Sequence, residues 1–259
     1  MSINFAQLQM LSLEANDSIA EAREKLDRIS EIFRSRPEHR QFLELMSYLR
    51  DGYPIDALEA ADVLCVDYHD TVDILPEELQ HDSLGFVSGI HLVYRGRFVY
   101  PVKDTRGHVA GWCGWDPFET PKYLDSRNYG YSAKSALFYG AEKLSEYYRS
   151  DQPVIIVEGI ACCLYLRWLG FQSLSSLGSV LTPYMVAVLK RFGRRAVVIP
   201  DSDEAGNKFR RQVRYALPSA KCLQSHVAKD IDDSRKVCPE LKEELAEAIK
   251  PFGRSKIFS

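Results

Sequence analysis

Apolar residues in the first quarter of the chain recur at three- and four-residue steps, which is the spacing of amphipathic helices. The clearest repeat predicts a helix over 16–36, which ends before Pro37. Its buried face is expected to carry four apolar side chains, Ala22, Leu26, Ile29 and Phe33. Two further helices are predicted over 38–50 and 55–63. We expect these helices to pack on one another or to cover the segment that follows.

Further along, the pattern changes to short runs rich in β-branched and aromatic residues, broken by glycine-containing turns. The predicted strands cover 91–94, 98–103 and 109–112. Together they indicate an antiparallel meander. The segment 116–132 carries Pro, Asn, Gly and Ser and is predicted to be a loop, and 133–149 is predicted to resume as a helix.

From residue 154 onward, apolar runs of strand length alternate with segments of helical period. Strands are predicted over 154–157, 172–175, 196–200 and 221–228, and helices over 160–170, 182–192, 204–217 and 239–250. Regular alternation is typical of a parallel sheet covered by helices, with right-handed crossovers. The predicted fold class is therefore α/β, or α+β overall, with a small helical and antiparallel-β subdomain ahead of the parallel sheet. The predicted domains are 1–150, 151–235 and 236–259.

Carboxylates follow three of these predicted strands at the point where each strand ends. Glu158 follows the first strand, Asp201 and Asp203 follow the third, and a group that includes Asp230 and Asp232 follows the fourth. Ligands of parallel sheets gather at the carboxyl ends of the strands. Asp201 and Asp203 are two residues apart, so in extended chain they leave the backbone on the same side. Oxygen ligands of this kind suit Mg²⁺ or Mn²⁺.

The same acids have a simpler interpretation as helix N-caps. Asp203 could cap a helix that begins at Glu204, and Glu158 could serve a helix that begins at Ile160. Capping does not account for the flanking glycines, Gly159 and Gly206, whereas close approach of the backbone to a ligand would. We therefore favour a metal site for the set as a whole.

Composition limits the classes of partner. There are 33 Lys and Arg against 36 Asp and Glu, a formal charge of −3, so a polyanion site must be local. Residues 91–150 are locally basic, with nine Lys or Arg and six Asp or Glu. None of the six cysteines forms a C-x-x-C pair, so we expect no zinc module and reduced thiols in a cytoplasmic protein. No apolar run is long enough to span a membrane, and no membrane partner is expected.

An ordered set of short motifs resembles the TOPRIM domain of bacterial-type (DnaG-like) primases. The set consists of Val157-Glu158-Gly159, then Ser176-Leu177-Gly178-Ser179 with Thr182, then Asp201-Ser202-Asp203-Glu204-Ala205-Gly206, and then Asp230-Ile231-Asp232. Upstream, the segments 97–111, 121–126 and 134–140 are similar to the basic subdomain of these primases. The resemblance covers about residues 43 to 235. It implies a TOPRIM-type parallel sheet over 151–235.

The resemblance also implies an activity, the synthesis of short RNA primers on single-stranded DNA from ribonucleoside triphosphates, with Mg²⁺ or Mn²⁺ and no zinc. The catalytic residues would be Glu158, Asp201 and Asp203. The metal ligands would be Glu158, Asp201, Asp203, Asp230 and Asp232, with Glu158 either a ligand or the base that accepts the hydroxyl proton. Contacts to nucleic acid or nucleotide are expected from Arg97, Lys103, Arg106, Lys122 and Lys134, although each cation alone could be a solvated surface charge.

The chain departs from the family pattern in several respects. It has no counterpart of the family's zinc-binding domain or helicase-binding region, so we expect a separate replicative helicase. We also expect poor initiation of primers by this chain unless a separate zinc-binding protein supplies that role. A bacteriophage or plasmid source, and hence the host cytoplasm, would suit such a core. Cys162 stands where the family commonly has Asp, and 113–115 replaces a Gly-Gly-Arg.

Two alternatives to a primase use the same residues. One is a TOPRIM nuclease that hydrolyses phosphodiester bonds, and the other is a non-catalytic DNA-binding relative of the primases. Segment 97–140 favours the primase, because the nucleases have no counterpart of it.

Overall fold

The structure is a computed structural model that describes residues 5–125, 138–250 and 258, with side chains from residue 18 onward. Two compact units alternate along the chain. The first comprises Met1–Phe42, Asp62–Pro101 and His108–Ala133, and the second comprises Leu43–Ala61, Val102–Gly107 and Lys134–Ser259. The domain boundaries at residues 150 and 235 remain a prediction. In the described part of the chain, no helix combines the length and the hydrophobicity needed to cross a bilayer.

The first unit is built on helix α1 (Phe5–Arg34) and a four-stranded sheet. The sheet has the order β1-β4-β5-β6, and its β1–β4 and β5–β6 pairs are antiparallel. The strands are β1 (Leu64–Val66), β4 (Arg97–Lys103), β5 (Val109–Trp115) and β6 (Tyr123–Asp125), and β2 (Val87–Ser88) with β3 (His91–Leu92) forms a separate hairpin. The predicted strands 98–103 and 109–112 are confirmed as β4 and β5 of this antiparallel sheet. The prediction that 91–94 joins them in one meander is wrong, because β3 pairs with β2 instead, and β1 was not predicted as a strand.

The apolar face predicted for the first helix is confirmed. Its four residues are at most 6% exposed, namely Ala22, Leu26, Ile29 and Phe33. The ring of Phe33 lies 5.3 Å from that of Phe86, whose ring lies 4.9 Å from Trp112 of β5. The helix thus covers the sheet through an aromatic cluster. It begins at Phe5, earlier than the predicted Asn16.

The second unit is built on a parallel sheet of order β10-β9-β7-β8. Its strands are β7 (Val154–Val157), β8 (Gln172–Ser175), β9 (Ala196–Val198) and β10 (Lys221–Cys222). Its helices are α2 (His39–Leu49), which begins in the first unit, α3 (Ile55–Ala60), α4 (Leu144–Arg149), α5 (Ile160–Trp168), α6 (Pro183–Lys190), α7 (Glu204–Ala216), α8 (Ile231–Val237) and α9 (Leu241–Ala248). The predicted alternation is confirmed. Helices α6 and α7 share one apolar cluster with the sheet, so they cover the same face.

Two predictions upstream of the parallel sheet are wrong in part. The predicted loop 116–132 contains β6, which pairs with β5, and its residues after 125 lie outside the described part of the chain. Within the described residues, the predicted helix 133–149 begins at Ala141, first as a 3₁₀ turn and then as α4. Gly140 ends the preceding extended segment with a φ of 95°, a left-handed conformation that a helix does not contain. Residues 133–137 also lie outside the described part.

The last predicted strand is much shorter than expected, and one helix was not predicted at all. Strand β10 covers two residues of the predicted 221–228, and α8 begins directly after Asp230. The side chain of Asp230 accepts a hydrogen bond from the Asp233 N–H at 2.8 Å. The sequence motif that we assigned to a metal ligand is thus also the N-terminal signal of a helix.

Candidate active site

The sheet order brings three of the acidic segments to one edge. Strands β10, β9 and β7 are neighbours and run in parallel, so their carboxyl ends share one edge of the sheet. Glu158 directly follows β7, Asp201 and Asp203 lie just after β9, and Asp230 follows the connection that leaves β10. We call Glu158, Asp201, Asp203 and Asp230 the acid cluster.

Glu158 is the member of the acid cluster with the least solvent exposure, since only 7% of the residue is exposed. Its side-chain Oε1 accepts a hydrogen bond from the backbone N–H of Asp201 at 3.0 Å, not from the helix that begins at Ile160. Its own carbonyl accepts hydrogen bonds from the Ser175 hydroxyl at 2.7 Å and from the Gly178 N–H at 3.1 Å. Glu158 therefore ties the turn after β9 to the end of β7.

The turn that follows β8 is strained, and it supports Glu158. Leu177 has a φ of 57°, a left-handed conformation that is unfavourable for a residue with a branched side chain. The Leu177 N–H donates to the Ser175 hydroxyl oxygen at 3.1 Å, and Gly178 donates to the Glu158 carbonyl. These hydrogen bonds hold the turn against its strain. The motif Ser176-Leu177-Gly178, noted in the sequence, thus has a structural role next to the acid cluster.

Asp201 is the electrostatic centre of the acid cluster. Burial raises the pKa of its carboxyl group to about 7, and the negative charges of Glu158 and Asp230 act in the same direction. Burial likewise raises the pKa of Glu158 and of Asp230. Like charges that disfavour one another in a partly dehydrated site require a cation or protons to become stable. The acid cluster therefore has the electrostatic character of a cation site.

Asp203 and Asp230 both act as helix N-caps. Asp203 Oδ1 accepts a hydrogen bond from the Gly206 N–H at 2.9 Å and caps α7, and Asp230 caps α8 in the same way. The capping interpretation is thus confirmed for Asp203 and extends to Asp230. The pKa of Asp203 is lowered, first by the Gly206 N–H and then by Lys229. Each cap uses one carboxylate oxygen, so capping and metal binding are compatible.

Gly206 is required by the chain itself and not by a ligand. A Cβ atom at this position would lie 1.9 Å from the carbonyl oxygen of Asp201, much closer than atoms can approach. The first turn of α7 therefore packs directly on the backbone that carries Asp201. Gly159 is under no such constraint, because a Cβ there would meet only the Cys162 sulfur at 3.9 Å. Our expectation of close approach to a ligand at the two glycines is replaced by this backbone contact at Gly206.

Lys229 is the residue of this site that sequence reasoning missed. Its Nζ lies 3.1 Å from Asp203 Oδ2, and its backbone oxygen accepts a hydrogen bond from the Ser202 N–H. The hydrogen bond with Asp203 raises the pKa of Lys229, and the charges of Asp201 and Asp230 contribute as well. The ammonium group thus supplies positive charge to the acid cluster. Its position immediately before Asp230 was the available signal.

Asp232 is bound by two arginines and not by the residues of the acid cluster. Its Oδ2 accepts a hydrogen bond from Arg50 at 2.7 Å, and its Oδ1 accepts one from Arg235 at 2.7 Å. Burial acts to raise the pKa of Asp232, but the two guanidinium groups outweigh it and hold the pKa below its usual value. Both oxygens are therefore committed to ion pairs. Although Asp232 belongs to the metal-ligand set predicted from the sequence, we leave it out of the set proposed below.

Cys162 occupies the first turn of α5 beneath the acid cluster and is 4% exposed. Burial raises the pKa of its thiol well above the ordinary value, and the charges of Asp230 and Asp201 add to this effect. The thiol is therefore neutral at physiological pH. Where the primases commonly have a carboxylate, this chain adds no negative charge to the site.

The predicted nucleic-acid contacts have different surroundings. Arg97 is 7% exposed, and its guanidinium donates to the Lys122 carbonyl at 3.3 Å. Lys122 is exposed, and its Nζ lies 5.8 Å from the centre of the Trp115 ring. Lys103 is half-buried at the end of β4, and Arg106 is exposed in the following turn. Lys134 lies outside the described residues.

The carboxylates of the acid cluster fit a hard divalent cation by donor chemistry. All of the donors are oxygens, and the burial and neighbouring negative charges that raise the pKa of Asp201 are effects that a bound cation would oppose. In the described part of the chain, no three His, Cys, Asp or Glu side chains are already arranged as a metal site. Lys229 engages Asp203 instead, so its ammonium group and a metal ion would compete for that carboxylate.

Sequence comparison identifies the same region. The family model described as Toprim-like matches residues 155–235, which span β7 to most of α8. A DNA primase of Aquifex aeolicus is 29% identical over 190 residues, which cover 70% of this chain and 38% of that primase. A DNA primase of Clostridium acetobutylicum is 34% identical over 115 residues, which cover 44% of this chain and 19% of that primase. The chain thus spans less than half the length of these curated relatives.

Structural comparison extends the similarity to most of the chain. The zinc-binding and RNA polymerase domains of Aquifex aeolicus primase match with a TM-score of 0.71 and 23% identity, over 88% of this chain and 60% of that one. A DnaG primase catalytic domain bound to single-stranded DNA matches with a TM-score of 0.73 and 18% identity, over 90% of this chain and 80% of that one. The chain therefore contains a Toprim-like domain and has the fold of the DnaG primase catalytic core.

Proposed function

We propose that this protein synthesises short RNA primers on single-stranded DNA by metal-dependent nucleotidyl transfer. The observation that carries the proposal is the acid cluster, in which a carboxylate with a pKa raised to about 7 lies at the carboxyl edge of a Toprim-like domain. The proposal is supported by relatives named DNA primase and by the fold of a primase catalytic core. In this reaction a 3′ hydroxyl attacks the α-phosphate of a ribonucleoside triphosphate, and pyrophosphate leaves.

The acid cluster would hold Mg²⁺ or Mn²⁺ through Asp201, Asp203 and Asp230, with Glu158 either a further ligand or the base that accepts the hydroxyl proton. Bound there, the cation would stabilise the charge that develops on the attacking and leaving oxygens. The protein's own contribution is positioning. Glu158 holds the backbone of Asp201, and the helix caps orient Asp203 and Asp230.

The substrates and partners that we propose follow the same reasoning. A single-stranded DNA template and ribonucleoside triphosphates are polyanions, and their phosphates require cations near the acid cluster. Arg97, Lys103, Arg106, Lys122 and Lys134 remain our predictions for these contacts. A separate replicative helicase, a separate zinc-binding protein and a bacteriophage or plasmid source likewise remain predictions from the sequence.

A primer assay tests the proposed function. The protein is incubated with single-stranded DNA, labelled ribonucleoside triphosphates and Mg²⁺ or Mn²⁺, and the products are separated on a denaturing gel. We expect short RNA products with the DNA left intact. Degraded DNA without RNA synthesis would identify a nuclease instead, and DNA binding with neither reaction would identify a non-catalytic relative.

Replacing Lys229 tests the acid cluster without relying on catalysis. Lys229→Met removes a positive charge that competes with a metal ion for Asp203. One unit charge at about 4 Å is worth about 1 kcal/mol in water, so we expect Mn²⁺ to bind about fivefold more tightly. Isothermal titration calorimetry measures this change directly. Lys250→Met, which breaks the exposed pair with Glu247, is the matched control and should leave the affinity unchanged. Unchanged or weaker Mn²⁺ binding by the Lys229 variant would refute a competing role for Lys229.

A further inference from the structure

Helix α7 presents two contrasting sides. Its inward side contributes Phe209 and Val213 to the apolar cluster on the parallel sheet. Its outward side carries three exposed cations and an exposed tyrosine, and we call this surface the outer basic face: Lys208, Arg211, Arg214 and Tyr215. Nothing in the proposed chemistry uses these residues. Their arrangement therefore needs a separate explanation.

The charge of the outer basic face is uncompensated. Within the described residues, no carboxylate lies within ion-pair distance of Lys208, Arg211 or Arg214. Other basic residues of the protein are paired, for example Lys25 with Glu21 at 2.7 Å. Like charges three residues apart on a helix destabilise it by a few tenths of a kcal/mol per pair. The face thus costs stability in the isolated protein, and a polyanion would relieve the repulsion.

The outer basic face extends away from the acid cluster. Helix α7 begins at the cap Asp203, and an α-helix rises about 1.5 Å per residue, so the three cations lie about 8, 12 and 17 Å along its axis from that cap. Residues 179–217, which contain α6 and α7, hold eight Lys or Arg against three Asp or Glu, although the whole chain is acidic. Positive charge is therefore concentrated in the segment of the chain that contains these two helices.

The tyrosine distinguishes a nucleic-acid strand from other polyanions. Tyr215 is 92% exposed and lies one helical turn beyond Arg211. Proteins that bind single strands combine cations along the backbone with aromatic rings on which bases stack. A duplex would present phosphates but no free base to the ring. An acidic protein surface would satisfy the cations but would leave the tyrosine unused.

We propose that the outer basic face of α7 binds single-stranded DNA, with Lys208, Arg211 and Arg214 on phosphates and Tyr215 stacked on a base. The proposal rests on the proposed function, because the strand bound there would be the template. It adds a second contact surface to the one predicted around Arg97 and Lys122. Since phosphate contacts carry no base code, this surface would hold the template without selecting its sequence.

The test is a binding measurement that does not depend on catalysis. Fluorescence anisotropy of a labelled 30-nucleotide oligo(dT) is recorded in EDTA over a series of salt concentrations. For the triple variant K208Q/R211Q/R214Q we expect binding at least about tenfold weaker at low salt, and a log–log salt slope shallower by about 2, since each lost phosphate contact contributes about 0.7. For Tyr215→Ala we expect about fivefold weaker binding with the slope unchanged, because stacking releases no counterions.

The matched control removes three cations that already have partners. K25Q/K143Q/K250Q breaks exposed pairs with Glu21, Glu146 and Glu247 and should bind oligo(dT) like the wild type. Thermal unfolding of each variant checks that the fold is retained, which exposed Gln substitutions in a helix should preserve.

Wild-type affinity and slope in the triple variant would overturn the proposal, as would an equal loss in the control or no detectable binding by the wild type. Full affinity in the Tyr215 variant would overturn the stacking contact. The primer assay separates these outcomes from failure of the proposed function: RNA synthesis by the wild type, with unchanged DNA binding by the triple variant, refutes the outer basic face alone.

Discussion

Asp201→Asn should abolish primer synthesis and at the same time make the metal-free protein more stable. The loss of activity follows from the central position of Asp201 in the acid cluster, where an amide cannot supply the negative charge that holds a divalent cation. Residues that act together in one site cannot compensate for one another, so we expect turnover to fall by roughly a thousandfold or more. The backbone hydrogen bond from Asp201 to Glu158 does not depend on the side chain and is retained.

The gain in stability follows from the raised pKa of Asp201. The folded protein holds this proton up to about pH 7, whereas the unfolded chain releases it near 3.8. Ionisation of Asp201 therefore lowers the free energy of unfolding of the wild type progressively between about pH 4 and pH 7, and the loss is complete above that range. Asparagine has no proton to lose. The variant should unfold at a higher temperature than the wild type at pH 8, and the difference should disappear near pH 4.

Primer assays and thermal unfolding in EDTA, both at several pH values, measure the two effects. Asp151→Asn makes the same chemical change at an exposed position just before β7 and should alter neither property. An active Asp201 variant would contradict the assignment of the acid cluster. A variant that is inactive but less stable at pH 8 would instead show that Asp201 is needed for the fold.

Asp232→Ala should cause the largest loss of stability, with metal binding unaffected. The substitution leaves the guanidinium groups of Arg50 and Arg235, each only 6% exposed, without their shared carboxylate. Both groups also lie over the ring of Tyr53, at 5.5 and 5.1 Å from its centre, and have little freedom to reach water. Removing one partner of a buried ion pair typically costs about 3–5 kcal/mol.

Urea unfolding measures this loss, and Mn²⁺ titration measures the affinity of the acid cluster. Asp233→Ala is a close control, because Asp233 pairs with Lys236 at a more exposed position and should lose no more than about 1 kcal/mol. Combining Asp232→Leu with Arg50→Met removes charges of both signs and should recover part of the stability. Weaker Mn²⁺ binding with unchanged stability in the Asp232 variant would instead restore Asp232 to the set of metal ligands.

The sequence predicted best the elements whose conformation depends on residues that are close together in the chain. Strands β7 and β8 have the predicted bounds. Strand β7 is a short apolar run that is buried along its whole length, so its pattern identifies it directly. The Asp203 cap of α7 was also recognisable locally, since a cap contacts a backbone group three residues away. Glu158, the other candidate, does not cap α5, and the cap at Asp230 was not predicted. The acids were correctly placed after their strands, and the parallel sheet brings three of the segments together.

The features that the sequence did not reveal depend on contacts between distant residues. Asp232 lies 182 positions from Arg50 in the chain. No local pattern indicates that an arginine near the end of α2 will form an ion pair with its carboxylate. Gly206 was predicted to allow close approach of a ligand. Its actual role, to avoid a clash between a side chain and the carbonyl of Asp201, depends on a contact that forms only in the folded chain. Helix α8 was missed because it begins after Asp230, a single residue whose two possible roles, cap and metal ligand, the sequence could not separate.

The contact between Gly206 and Asp201 also fixes the rotation of α7 about its own axis. A helix packed on that carbonyl through a bare Cα cannot rotate without displacing the backbone that carries the Asp201 carboxylate. The exposed cations of α7 therefore keep a fixed direction from the helix axis relative to the carboxylates. Because this contact lies in the first turn of α7, a displacement of that turn would also displace the backbone of Asp201.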